Sequence, residues 1–278
     1  MNVHTFFYLI KPLIPRKIQI IIRKKIIKKK YEKVKDVWPI KEDAGRKPED
    51  WNGWPDGKKC ALILTHDVET EYGLNKCLDL AEVEKSLELY SSFNFVPERY
   101  VTPQSLRCKL RDLGFEIGVH DFNHDGRLFS SYKLFKERSK RINYFLKKWN
   151  ACGFRAGSMY HNLDWIGELE ILYDCSTFDT DPFEPQPDGV GTIFPFTVKK
   201  RFSNGTFVEL PYTLPQDFLL FILMKNHDID IWKRKVDWIF EKNGMILVNT
   251  HPDYMNFENK YLESEYPIKN YFDLLEYI

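Results

Sequence analysis

Between residues 60 and 251, short apolar runs alternate with longer helix-forming stretches, and this alternation narrows the fold more than any other feature of the chain. The apolar runs are CALILT (60–65), FNFVPERYVT (93–102), FEIGVH (115–120), ACGFRAG (151–157), YDCSTF (173–178), FVELP (207–211) and MILVNTH (245–251). Helical patterns lie between most of them, clearest at 130–149 and 229–243. Alternating β and α elements predict a parallel sheet with helical crossovers, and seven strand candidates suit either a barrel or a doubly wound sheet. Neither GxGxxG nor GxxxxGK occurs, so the pattern carries no glycine-rich phosphate loop.

Charge sets the first 36 residues apart. They hold eleven of the 41 Lys/Arg against only Glu32 and Asp36, leaving 30 basic and 38 acidic residues in the remainder. A formal charge of +1 therefore conceals a basic arm on a mildly acidic body. Pro15 followed by RKIQIIIRKKIIKKKYEKV predicts a helix. Its apolar residues form no single stripe: Ile18, Ile22 and Ile26 group together, while Ile20, Ile27 and Val34 fall nearly opposite. A solvated or domain-packing helix is the plain reading, and peripheral contact of residues 1–36 with an anionic membrane the sharper one. Residues 37–58, with Pro, Gly, Asp and three Trp, read as an irregular linker, and 59–278 as one α/β domain.

The body gives no reason to expect nucleic acid binding, and no run approaches the ~18 apolar residues of a membrane span. At the N-terminus the charges follow the apolar residues, and Lys11, Pro12 and Pro15 interrupt any signal-peptide core. Cys60, Cys77, Cys108, Cys152 and Cys175 are odd in number and lack CxxC spacing, which fits free thiols in a reducing compartment. The expectation is a cytoplasmic location, at the inner membrane face if the arm binds lipid.

The histidines carry the chemistry. His66, His120 and His251 each stand at or just past the end of a strand candidate, the edge of a parallel sheet where side chains from several strands converge. His120 and His124 form an HxxxH pair, an offset that on a helical turn puts both imidazoles within reach of one metal ion. Asp67 and Glu69 leave the first strand with one residue between them, so one can bind metal while the other accepts a proton. Arg155, at another strand end, offers a partner that would hold a carboxylate ionised. Tyr160 and Asn162 follow it, an aromatic face and an amide that suit a polar, ring-shaped substrate.

Together THDVE, HDFNH, FRAGSMY, YDCSTFDTD and LVNTHPD, in that order, resemble the successive motifs of the polysaccharide deacetylase family, carbohydrate esterase family 4, over residues 60–253. The resemblance implies a distorted (β/α) barrel, here of about seven parallel strands with an N-terminal basic helical extension. It implies a hydrolase that removes N-acetyl groups from a glycan or glycan precursor with one divalent metal ion. Zinc is the default, and Co, Ni, Mn and Fe are compatible with N/O ligands. Position by position, Asp67 becomes the general base, Glu69, His120 and His124 the metal ligands, and Arg155 the residue orienting the base. Where the family usually has Asp, this chain has Glu69; in the adjacent-Asp version of the motif Val68 would take that place. His251 becomes the general acid, tuned by Asp179 or Asp181, with Asp181 favoured. Gly157 replaces a proline of the family pattern, which predicts a looser backbone there. The implied reaction has the metal acidify its bound water while Asp67 takes the proton and His251 protonates the departing amine. Competing readings are a related barrel hydrolase of another non-peptide C–N bond, such as a cyclic ureide or imide, and a degenerate carbohydrate-binding domain without turnover.

Overall fold

The computed structural model describes residues 16–258 and 262–278; the first 15 residues of the basic arm lie outside these. Each of the seven apolar runs overlaps a strand: β1 (Ala61–Val68), β2 (Ser92–Phe95), β3 (Glu116–His120), β4 (Gly153–Arg155), β5 (Tyr173–Asp174), β7 (Thr206–Glu209) and β8 (Met245–Thr250). An eighth, β6 (Phe196–Lys199), was not expected and pairs antiparallel with β7 at the sheet edge. The strand order is β6-β7-β5-β4-β3-β2-β1-β8, parallel throughout apart from β6. Residues 212–214 then bridge the gap in the ring: Tyr212 N–H donates to Thr177 at 2.9 Å, and Thr213 and Leu214 N–H donate to Leu247 of β8 at 3.2 Å. The sheet thus curls into a distorted barrel closed by an irregular segment.

Helices α1 (Arg16–Val34), α2 (Cys77–Ser86), α3 (Gln104–Asp112), α4 (Tyr132–Trp149), α5 (Asp230–Lys242) and α6 (Ile268–Tyr277) surround it. Helix α4 shows why such segments are helical. Ser131 caps its N-terminus by accepting from Leu134 N–H, Phe135, Ile142, Leu146 and Trp149 form its buried stripe, and Asn150 ends it at φ 49°. The C-terminal NYFDLLEYI is also docked, with Tyr271, Leu274 and Leu275 buried in α6.

The basic helix α1 is apolar on two faces, which is why its sequence shows no single stripe. Ile27 is buried and Ile20, Tyr31 and Val34 pack against the core, whereas Ile18, Ile21 and Ile26 remain about half exposed (48%, 53% and 51%). Beyond it, the 37–58 segment packs on the barrel: Trp38 lies edge-on to Phe183 at 5.1 Å, and the carbonyl of buried Ala44 accepts from Ile193 N–H. Among the described residues no helix is long and apolar enough to cross a membrane. All five cysteines are free.

Candidate active site

Register builds the site at the C-terminal edge of the sheet. Asp67 of β1 pairs with Asn94 of β2, Thr65 with Asn249 of β8, and His120 of β3 with Arg155 of β4. These neighbours converge on one carboxylate. Asp67 accepts from Arg155 Nη1 at 3.2 Å and from Asn94 Nδ2 at 3.1 Å on one oxygen, and from Asn249 Nδ2 at 3.0 Å on the other. Arg155 is wholly buried and is itself fixed by Cys175 O, Thr65 Oγ1 and Asn249 Oδ1. Burial opposes ionisation of Asp67, but the charges of Arg155, His120 and His251 outweigh it and hold this carboxyl well below the usual range.

His120 and His124 meet, though not on a helical turn. Strand β3 ends at His120, and the irregular loop that follows places Asp121 (φ 55°) and His124 (φ 56°) in the left-handed region. Arg138 of α4 pins that loop through a two-pronged bond to Asp125 at 2.8 and 2.6 Å. The ring centroids of His120 and His124 end 4.9 Å apart, and His124 Nε2 lies 3.4 Å from Glu69 Oε1.

One donor atom from each of Glu69, His120 and His124 lies within 4.8 Å of the other two. Tetrahedral donors at roughly 2.0–2.2 Å from an ion stand about 3.3–3.6 Å apart, the separation His124 Nε2 and Glu69 Oε1 already have. His120 Nδ1 bonds to the Arg155 carbonyl at 3.1 Å, so Nε2 is the free nitrogen; it is buried and has no partner among the described residues. Burial above all pushes His120 down to about 4, so the ring is neutral, the form that ligates a metal. Two imidazoles and a carboxylate, with the His120 Nε2 unpartnered among the described residues, fit a divalent cation. Glu69 is steadied by Tyr254 Oη on Oε2 (3.1 Å), and its N–H by Asp253 (2.9 Å).

Gly157 is no looseness in this site. A Cβ there would stand 2.4 Å from Asp121 Oδ2 and 3.0 Å from the His124 ring. Its hydrogen is what lets the histidine loop close against β4.

His251 follows β8, and the carboxylate that holds it is Asp217, which the sequence reading missed. Asp217 accepts from His251 Nδ1 at 2.7 Å and from His251 N–H at 2.8 Å, while also capping the six-residue π-helical turn Phe218–Leu223. Burial disfavours the imidazolium, but Asp217, aided by Glu69 and Asp67, raises His251 to about 10. Asp181, expected in this role, instead accepts from Tyr212 Oη (2.9 Å) and Phe183 N–H (2.8 Å), and Asp179 pairs with Lys235 (2.6 Å). Both anchor the loop that carries Phe183, Glu184 and Pro185 to the pocket wall.

His66, read as a third member of the site, is core. It is adjacent to Asp67 on a strand and so points to the opposite face, where its two nitrogens meet Thr250 Oγ1 and Glu84 Oε1, each at 2.7 Å. Tyr160 and Asn162 are not among the residues lining the pocket, and the Asn162 side chain is spent capping a helical turn at Trp165 N–H (3.1 Å). Glu209 belongs to a buried group with Asp174 and Thr177, away from the pocket lining.

Asp67, Glu69, His120, His124 and His251 line one cavity of about 270 Å³. Its opposite wall comes from α1, through Gln19, Ile20, Arg23 and Ile27, and from the π-turn through Phe218, Leu219 and Leu223.

No protein-family model and no curated protein matches the sequence. Solved structures do. A protein assigned as a polysaccharide deacetylase from Mycobacterium smegmatis superimposes with TM-score 0.57 at 17% identity, covering 72% of this chain and 79% of that one. Another so assigned, from Pseudomonas aeruginosa PAO1, gives 0.58 at 13%, covering 81% and 86%. The Puue allantoinase gives 0.62 at 14%, covering 86% and 91%. The chain has the fold shared by these polysaccharide deacetylases.

Proposed function

We propose that this chain is a metal-dependent hydrolase that removes N-acetyl groups from a glycan or glycan precursor. The observation that carries the reading is the meeting, in one cavity, of a buried unpartnered His120 Nε2 beside Glu69 and His124, an Arg155-held Asp67 and an Asp217-held His251. A divalent cation bound by Glu69, His120 and His124 would supply Lewis-acid polarisation of the acyl carbonyl and acidity to a water that Asp67 is too weak a base to deprotonate alone. Asp67 takes that proton, and Arg155, Asn94 and Asn249 keep it ionised and aimed. His251 arrives charged at neutral pH with Nδ1 engaged by Asp217, so Nε2–H gives the proton to the departing nitrogen.

Elemental analysis tests the site first. About one divalent ion per chain is expected after zinc reconstitution, and none in His120→Ala/His124→Ala. Asp67→Asn should keep the ion and lose acetate release from N-acetylated sugars. A well-folded wild type that takes up no metal would overturn the reading and leave a carbohydrate-binding domain.

Opening of a cyclic ureide or imide is the second reading. The small, walled cavity favours it, as does the similarity of fold to an allantoinase. Ring-opening assays on allantoin beside acetate release separate the two.

The outer face of α1 supports contact with anionic lipid, since Ile18, Ile21 and Ile26 are exposed among lysines.

A further inference from the structure

Helix α1 brings to the pocket a charge that the hydrolytic chemistry does not use. Arg23 lines the cavity, and its guanidinium lies 5.0 Å from the centroid of the Phe218 ring. Phe218 in turn packs against Tyr254 at 4.7 Å with the planes tilted by 32°, and Tyr254 bonds Glu69. The two rings form a continuous aromatic shelf leading from the metal-ligand cluster to Arg23. Apolar C–H faces of a sugar ring pack on such a surface, while hydroxyls turn to the polar wall.

Two charges at the reacting centre have partners: Asp67 pairs with Arg155 and His251 with Asp217. Arg23 has no hydrogen-bond or ion-pair partner among the described residues, and neither does Arg99, which lines the same cavity and acts on Glu69 through its field. Glu184, the carboxyl whose charge Arg23 feels, accepts from Gln216 Nε2 (2.6 Å), lies 3.0 Å from the Tyr212 hydroxyl that Asp181 also engages, and is pushed by burial up to about 8. A carboxyl raised in this way offsets less of the Arg23 charge than an ordinary carboxylate would. An arginine held over an aromatic face keeps its planar N–H fork available, and that fork matches phosphate and carboxylate oxygens.

We propose that Arg23, carried by helix α1 to the far end of the aromatic shelf, selects a substrate whose acylated ring bears an anionic substituent, a phosphate or a carboxylate. The cavity size and the α1 wall restrict that substrate to a single ring or chain end rather than the interior of a neutral polymer. This rests on the deacetylase reading for the bond cleaved, but not for the anion bound.

The zinc-loaded full chain is assayed for acetate release from N-acetylglucosamine, its 1-phosphate, its uronic acid and the neutral chitotetraose. At least one anionic sugar should exceed the neutral ones in kcat/KM by about tenfold or more, mainly through KM, as a charged hydrogen bond provides. Arg23→Gln should erase that preference and Arg23→Lys retain part of it. Equal rates on neutral and anionic sugars, or an equal loss on all four in Arg23→Gln, would overturn the proposal. In parallel, the metal-free chain is titrated calorimetrically with the 1-phosphate and the uronic acid. Binding lost in Arg23→Gln without acetate release from any sugar would sink the deacetylase reading and leave the anion site standing. Binding of neither anion would sink the anion site.

Discussion

Replacing Asp217 by Asn removes one charge from the site at nearly constant shape. The Asn carbonyl can still accept from Phe218 N–H and His251 Nδ1–H, which meet Oδ1 at 2.7 Å each. What disappears is the negative charge that offsets the burial of the imidazolium. His251 should fall from about 10 to the ordinary value near ~6.5 or lower, because burial then acts unopposed by its nearest carboxylate. At pH 8.5 the protonated fraction would drop from nearly all to about one in a hundred. If His251 is the general acid, the alkaline limb of kcat/KM moves down by about three pH units or more and activity at pH 8.5 falls roughly a hundredfold. The new amide NH₂ would also face His251 N–H and Tyr266 Oη, both donors to Oδ2 in the native site, so a uniform loss of activity is uninformative. The position of the limb is the readout. Long-range ¹H–¹⁵N NMR of the His251 ring gives the same number without a substrate. A ring that titrates at the same pH in both proteins would refute the assignment of Asp217 as the source of the raised value. Linkage gives a further sign: a raised folded pKa contributes stability that is full below ~6.5 and lost as pH rises through about 10. The stability gap between wild type and Asp217→Asn should therefore narrow from pH 6 to pH 10.

Gly157→Ala puts a methyl group 2.4 Å from Asp121 Oδ2 and 3.0 Å from the His124 ring, so the histidine loop must back away; zinc affinity measured by chelator competition should fall about tenfold or more, with the fold retained by circular dichroism. Glu84→Ala strands three buried donors at once, His66, Ser91 Oγ and Tyr271 Oη; the cost should be about 3–5 kcal/mol, seen as a lower denaturation midpoint, with zinc stoichiometry unchanged. Cosedimentation of the full chain with anionic vesicles should be salt-sensitive and weaken in Ile18→Ser/Ile21→Ser/Ile26→Ser, while neutral vesicles bind neither protein.

The main strands and two of the helices were legible because apolar runs and helical periodicity report burial, and burial is local information. Edge strand β6, FTVK, escaped because its exposed face needs no apolar residues; its burial alternates between half-buried and exposed. Strand exits were legible too, and they located Asp67, His120, Arg155 and His251 in one cavity or against it. The same rule overreached at His66, where the period of two along β1 already separates it from Asp67. Asp217 was harder. It precedes FLLFIL and has the local signature of a helix cap, which it is, yet its second role depends on His251, 34 residues later. Nothing near either residue in sequence announces that meeting.

Gly157 and α1 show a different limit. A glycine in place of proline reads as freedom when the chain is considered alone, because only the backbone is in view; the approach of Asp121 and His124 turns it into a requirement for the absence of a side chain. Helix α1 defeats a single-stripe search because it has two tasks. Ile20, Arg23 and Ile27 recur at the three- and four-residue spacing of one face and meet the pocket, while Ile18, Ile21 and Ile26 remain outside. A helix serving two surfaces averages to no preferred side, so weak amphipathicity here marks an element with partners on both flanks. Helix α1 therefore belongs to the candidate site's cavity, and a chain shortened to the barrel alone would lose one wall of it, together with Arg23.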